Sequence, residues 1–250
     1  LWDARGSLIV TEKIGRLIGV GVGPGDPDLV TIKAIKALHA ADVVAYPVLK
    51  NQTSMARAIV APHIAQMPQS AVPLEYAFDV PIGPKNAPAR IAAYDAAAAQ
   101  MAVWLQAGQT VVVLCEGDPF FYGSFMYIYG RLSDQYAAEV IPGVSSLMAC
   151  AASLRQPLAA WDDFFAVLPA TLPDDKLETA LRQCDCAAII KVGRHSQRVA
   201  SILRKLDLFD QAGYVAHATL PDQKVQRLAD VALDSIPYFS MVLVHKTGAI

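Results

Sequence analysis

The chain has 250 residues, 54% of them apolar, enough to bury one large core or two moderate ones, which excludes a disordered protein. Its 21 basic residues against 23 acidic ones give no field for gathering nucleic acid, and no basic run compensates. No apolar run approaches the ~18 residues of a membrane span, and Leu8-Ile9-Val10 is too short for a signal-peptide core. A soluble cytoplasmic protein is therefore expected, with neither nucleic acid nor membrane as partner. Of the four cysteines only Cys184 and Cys186 are close, as Cys-Asp-Cys without a nearby histidine pair. Thiols in a reducing compartment are expected, and a metal site is not.

Residues 1–14 show no period and are read as an N-terminal extension. The ordered chain begins at Arg16-Leu17-Ile18-Gly19-Val20-Gly21-Val22-Gly23-Pro24-Gly25-Asp26-Pro27. This reads as a short strand, a glycine-rich loop and a helix capped by Asp26 with Pro27 at its first position. The helix is expected to run to Ala40 with Leu29, Ile32, Ile35 and Leu38 on one side. A dinucleotide fingerprint is tempting here. However, Pro24 removes an amide that pyrophosphate would need, and Asp42 precedes the next strand, Val43 to Tyr46, instead of ending it. A Walker loop is excluded because no Gly-Lys-Ser or Gly-Lys-Thr is present.

Ser54 to Ala65 reads as a helix with Met55, Ile59 and Ile64 inward. Val72 to Phe78 reads as extended, confined by Pro73 to an edge or to a strand's first residues, and a loop with Pro81, Gly83 and Pro84 follows. An alanine-rich helix from Ala87 to Gln106 has Asn86 as a candidate cap and Gly108 just past its end. Next comes the β-branched run Thr110 to Val113, continuing as Leu114-Cys115-Glu116-Gly117-Asp118-Pro119-Phe120-Phe121-Tyr122-Gly123-Ser124, with a helix opening near Ser124. Gly117 would let the main chain approach a ligand closely. That helix carries Phe125, Met126, Ile128, Tyr129 and Leu132. A further strand, Ala138 to Ile141, ends in Pro142-Gly143-Val144-Ser145-Ser146 before the helical Leu147 to Leu154.

Strands alternating with helices argue for a mainly parallel sheet covered on both faces. Three strand ends built of small residues point to one cleft beyond the carboxyl ends of the strands. In the second half, Phe164–Leu168, Ala187–Lys191, Gly213–Ala216, Val225–Leu228 and Phe239–His245 read as strands, with helices near Leu177–Arg182 and Ser196–Leu206.

Gly-Val-Gly-Pro-Gly-Asp-Pro, then Glu-Gly-Asp-Pro-Phe-Phe-Tyr-Gly-Ser, then Ile-Pro-Gly-Val-Ser-Ser, in this order and spacing, closely resemble the tetrapyrrole (corrin/porphyrin) methylase family. The resemblance continues through Val167-Leu168-Pro169-Ala170, Lys191-Val192-Gly193-Arg194 and Ala218-Thr219-Leu220-Pro221-Asp222-Gln223, so it covers roughly residues 15–246. Tyr122-Gly123-Ser124-Phe125-Met126-Tyr127 and Leu168-Pro169-Ala170 are most similar to the branch that methylates C20 of precorrin-2.

The resemblance implies a two-domain α/β fold, each domain a mostly parallel or mixed sheet flanked by helices, with S-adenosyl-L-methionine in the interdomain cleft and S-adenosyl-L-homocysteine as product. Domains are expected at residues 15–158 and 159–250, with the hinge near Pro157 to Asp163. The implied cofactor contacts are Pro24, Gly117, Asp118, Phe121, Ser145, Ser146, Val192 and Ala218, mostly through backbone atoms. Phe121 and Val192 also have ordinary core readings, and the serines an ordinary capping one. One departure from the family is Ala216-His217, where a polar pair such as glutamate-arginine often stands. A surface or capping role suits His217 better than that of a base.

The implied reaction is attack by an electron-rich ring carbon of a reduced tetrapyrrole on the sulfonium methyl, and it implies no metal. Glu116, Asp118, Tyr46 and Glu75 all remain open as acceptor of the displaced proton, as do substrate and water. Precorrin-2 carries many carboxylates, for which Lys33, Arg57, Arg90, Lys191, Arg194 and Arg227 are candidate partners. A homodimer is the implied assembly. Within the enzyme class the alternatives are a C20-methylase of cobalt-precorrin-2 and a sister methylase acting at another ring carbon, and the rival from another class is a non-catalytic module that binds the nucleoside or the tetrapyrrole.

Overall fold

The computed structural model describes residues 15–49, 52–81 and 86–246. The expected N-terminal extension and the Gly83-Pro84 part of the predicted loop lie outside the described residues. The chain divides into two compact units, one ending at Ser145 and the other beginning at Ser146.

In the first unit β1 (Arg16–Gly21), β2 (Val43–Val48), β3 (Leu74–Asp79), β4 (Thr110–Cys115) and β5 (Ala137–Ile141) form one sheet in the order β3-β2-β4-β1-β5. Every pairing in it is parallel, as the strand-helix alternation predicts. Strand β4 lies at the centre because its residues suit burial on both faces. Val111, Val113 and Cys115 join the core under α3 (Pro88–Gln106) and α4 (Phe125–Leu132). Val112 and Leu114 join the core under α1 (Ile32–His39) and α2 (Met55–Ala65). Removing such a Val or Leu from water contributes about 1.5–3 kcal/mol. Strand β3, which follows Pro73, stands at the sheet edge.

Two local expectations are corrected. The helix expected to start at Pro27 is instead a 3₁₀ turn, Pro27–Leu29, capped by Asp26. The chain then breaks at Val30, and Thr31 caps α1 afresh through a 3.1 Å bond from the Ala34 amide. This second start resets the helical phase. Ala34, Ala37 and Leu38 are buried, whereas Ile32 is 73% exposed. Likewise α3 takes Ala87 as its N-cap, with Pro88 at the first position, so Asn86 is not the cap.

In the second unit β6 (Phe165–Pro169), β7 (Cys186–Ile190), β8 (Gly213–Ala216), β9 (Lys224–Arg227) and β10 (Ser240–His245) pair in the order β6-β7-β10-β8-β9. Only β6 and β7 are parallel, so this sheet is mixed. On one face α6 (Asp174–Gln183) and α7 (Ser196–Lys205) bring Leu177, Leu181, Val199 and Leu203 against Ala187, Ile189, Tyr214 and Val242. On the other, α5 (Ser146–Leu154) packs Leu147, Ala149, Cys150 and Ala151 against Ala188, Ile190, Val215, Met241 and Leu243. Helix α5 thus goes with the second sheet, whereas a division after residue 158 would give it to the first. An apolar helix face does not reveal in sequence which sheet it covers.

All four cysteines are buried free thiols. Among the described residues no helix is long and apolar enough to cross a membrane.

Candidate functional site

In the first unit the loops that follow β1, β4 and β5 are tied together by main chain. Gly23 and Gly117 form an isolated antiparallel bridge, in which the Gly117 amide donates to the Gly23 carbonyl at 2.8 Å. Both residues have positive φ, 82° and 63°, which glycine adopts without the left-handed penalty of about 1–2 kcal/mol. Gly143 comes so close that a Cβ there would lie 2.1 Å from the Gly117 carbonyl oxygen. Asp118 completes the join. One of its carboxylate oxygens accepts from the Phe120 amide at 2.9 Å and the other from the Gly143 amide at 3.2 Å. Of the implied contacts in this unit, Gly117 and Asp118 therefore meet the Pro142-Gly143 loop directly. Pro24 follows Gly23 of the bridge, and Phe121, 37% exposed, donates its amide to the Asp118 carbonyl at 3.4 Å. Ser145 closes the unit, and Ser146 opens the next as the first residue of α5.

The second unit presents two loops. Val192 follows β7, where Lys191 has φ 59°. Val192 as a whole is buried, with its side chain in the core, as the core reading allows. Ala218 follows β8 and is flanked by His217 (φ 50°) and Thr219 (φ 68°). Side chains hold this turn. His217 Nδ1 lies 2.5 Å from Asp222 Oδ2, and the Thr219 amide donates to Gln223 Oε1 at 2.6 Å. The Ser153 hydroxyl donates to the same Gln223 oxygen at 3.0 Å. The clamp roles of Asp222 and Gln223 were not assigned from sequence, although both sit in the Leu-Pro-Asp-Gln motif.

The left-handed non-glycine residues sort into two groups. Arg155 and Asp207 follow the C-termini of α5 and α7, an ordinary place for that conformation, and Trp161 sits in a turn closed by Asp163. The remaining four, Tyr122, Lys191, His217 and Thr219, each adjoin an implied contact: Phe121, Val192 or Ala218. Strain kept at such positions accompanies ligand loops.

Two glutamates of the first unit sit in opposite environments. Arg57 holds Glu75 through paired bonds of 2.8 and 2.6 Å, and the Tyr46 hydroxyl adds another at 2.8 Å. These bonds, Arg57's foremost, draw the Glu75 carboxyl below its ordinary range. Among the described residues Glu116 accepts from main chain alone, with the Ala56 amide at the N-terminus of α2 donating to Oε1 at 3.2 Å. Burial pushes its carboxyl above the ordinary range despite those bonds.

Several candidate cations are engaged locally. Arg57 pairs with Glu75, Lys33 with Glu139 at 2.7 Å and Arg227 with Asp230 at 2.9 Å. Arg90 lies 5.5 and 5.6 Å over the rings of Tyr94 and Tyr127. Asp163, Cys186 and His245 converge at one end of the second sheet, with His245 3.7 Å and Cys186 3.8 Å from the Asp163 carboxylate. The same Asp163 oxygen accepts from the Ala160 amide at 2.8 Å, so the group anchors the turn before β6.

In the first unit a Cβ at Gly21 or Gly143 would come within 3.0 Å of main chain, so these turns present backbone. Several known proteins resemble this chain. A protein called precorrin-2 C(20)-methyltransferase from Sinorhizobium sp is 40% identical over 92% of this chain and 95% of its own length. Cobalt-precorrin-2 C(20)-methyltransferase of Salmonella typhimurium is 29% identical over 93% of this chain and 97% of its own length. The X-ray structure of a cobalt precorrin-4 methyltransferase superposes with a TM-score of 0.69 at 25% identity, covering 96% of this chain and 98% of that one. The structure of a Thermus thermophilus uroporphyrin-III C-methyl transferase complexed with S-adenyl homocysteine shares the fold, with a TM-score of 0.66 at 23% identity, covering 93% and 98% of the two chains. The family model described as Tetrapyrrole (Corrin/Porphyrin) Methylases matches residues 16–232, and the chain belongs to that family.

Proposed function

We propose that this protein is an S-adenosyl-L-methionine-dependent methyltransferase that methylates C20 of precorrin-2 to give precorrin-3A, in cobalamin biosynthesis. The observation that carries the reading is 40% identity, over nearly the full length of both chains, to the Sinorhizobium protein bearing that activity in its name. The glycine-bridged loops suit the cofactor, because they bring bare main chain together and leave no room for a Cβ at Gly21 or Gly143. Pro24, Gly117, Asp118, Phe121 and Ser145 would hold it in the first unit, and Ser146, Val192 and Ala218 in the second. When bound, it supplies a methyl group made electrophilic by its sulfonium. The protein's share is alignment, since holding two reactants in a near-attack geometry can contribute about 7–11 kcal/mol.

A metal-free substrate is proposed, in line with the stronger likeness to the Sinorhizobium protein than to the cobalt-named Salmonella one. A homodimer in the cytoplasm is the proposed state, and sedimentation of the purified protein tests the assembly. The deciding experiment supplies methyl-labelled cofactor with metal-free and cobalt-loaded precorrin-2 and locates the label by mass and NMR. Label at C20 of the metal-free ring is expected. Label at another carbon, or tight binding without product, would overturn the reading.

A further inference from the structure

Two neighbouring residues in the first turn of α2 each hold one glutamate. Arg57 holds Glu75 by a charged, bidentate contact, and Ala56 holds Glu116 by a single amide. The one cation of this turn is thus committed to Glu75. Among the described residues no lysine, arginine or histidine forms an ion pair with Glu116.

Glu116 also occupies a telling position. It directly follows the last residue of β4, the central strand, and directly precedes Gly117, which bridges to Gly23 and is approached by Gly143. The carboxyl ends of strands are where open parallel sheets meet their ligands. The ionisable groups that feel the charge of Glu116 are Tyr94 from α3 and its own neighbour Cys115. Burial pushes each of them up to about 12, so both stay neutral while Glu116 titrates. Two carboxyls pushed apart by their surroundings mark separate roles, one a permanent anion and the other able to exchange a proton.

We propose that Glu116 is the proton acceptor of the methyl transfer. The proposal rests on the function proposed above. The substrate carbon C20 gives an electron pair to form a bond with the methyl carbon, and the sulfur–methyl bond breaks with its pair left on sulfur. The C20–H bond then breaks, its electrons return to the macrocycle, and the proton passes to the ionised carboxylate of Glu116. Glu75 keeps its charge throughout and fixes Arg57 and Tyr46. A carboxylate made more basic by its surroundings suits the task, because a proton acceptor works best with its pKa near the working pH.

The test compares wild type with Glu116→Gln, whose side-chain oxygen can still accept from Ala56, and with Glu116→Ala. For Glu116→Gln, kcat with precorrin-2 is expected to fall by about 10²–10⁴-fold. Affinity for S-adenosyl-L-homocysteine, measured by calorimetry, should stay within about threefold. The acidic limb of the pH–rate profile should vanish, and formate should partly restore Glu116→Ala. An infrared carboxylic-acid band titrating above the ordinary glutamate range should disappear in Glu116→Gln. An active wild type with an equally active Glu116→Gln overturns the assignment alone. Loss of cofactor affinity together with turnover also overturns it, by making Glu116 a support of the loop. A wild type without turnover rejects both this role and the function on which it rests.

Discussion

The two units reach their sharp turns by different means. In the first, glycines at 23, 117 and 143 bring main chain against main chain, and the bonds across the loops run between backbone groups or to Asp118. In the second, Lys191, His217 and Thr219 adopt left-handed backbone despite carrying a Cβ, and the turn around Ala218 is held by side chains of Asp222, Gln223 and Ser153. A left-handed non-glycine costs about 1–2 kcal/mol, which such hydrogen bonds, at about 0.5–1.5 kcal/mol each, roughly offset. Glycine is therefore required where another backbone needs the space, and can be replaced where only the dihedral angle is at stake.

The comparison is broken most severely at Gly143. Gly143→Val places carbon 2.1 Å from the Gly117 carbonyl, so the first unit should lose about 3 kcal/mol or more in urea unfolding, along with cofactor binding. An unchanged midpoint would mean the loops part freely. In the second unit Gln223→Ala strips one acceptor from the Thr219 amide and the Ser153 hydroxyl. A loss of about 1–2 kcal/mol is expected, with cofactor affinity down about tenfold by calorimetry. An effect confined to stability would separate this turn from the ligand.

A gentler probe changes charge without changing volume. Glu116 has its folded pKa raised by burial, so the stability it contributes is full below the ordinary glutamate range and lost as pH rises through the folded value. Thermal scans across that interval should show wild type weakening as pH rises, with Glu116→Gln flat by comparison. Parallel curves would show that its burial is relieved in solution. The smallest effect is expected at Trp161, a fully exposed left-handed residue that is not among the proposed contacts. Trp161→Gly should gain up to about 1 kcal/mol without altering cofactor affinity, measured by unfolding and calorimetry.

The parts of this design legible in sequence were those set by local rules. The β-branched run at Thr110, the small-residue strand ends and the motif order announced the parallel sheet and its loops. Phase and partnership were less accessible. Val30 and Thr31 restart α1, so a stripe counted from Leu29 exposed Ile32. Helix α5 carries Leu147, Ala149, Cys150 and Ala151 inward, but nothing in those residues says which of two sheets they meet. The same limit applied to Glu116 and Glu75, which looked equivalent as candidate bases until Ala56 and Arg57 gave them opposite surroundings. His217, read as a surface or capping residue, proved to be one of the fasteners of the Ala218 turn.

Strand β9 ends the second sheet with all four of its residues, Lys224, Val225, Gln226 and Arg227, exposed. Its outward amides and carbonyls would invite another strand to add on, but any newcomer must dehydrate a lysine and an arginine within one short stretch. The two positive charges act as gatekeepers against sheet extension. Replacing both with threonine would leave the fold intact and make this edge the first place from which the protein aggregates.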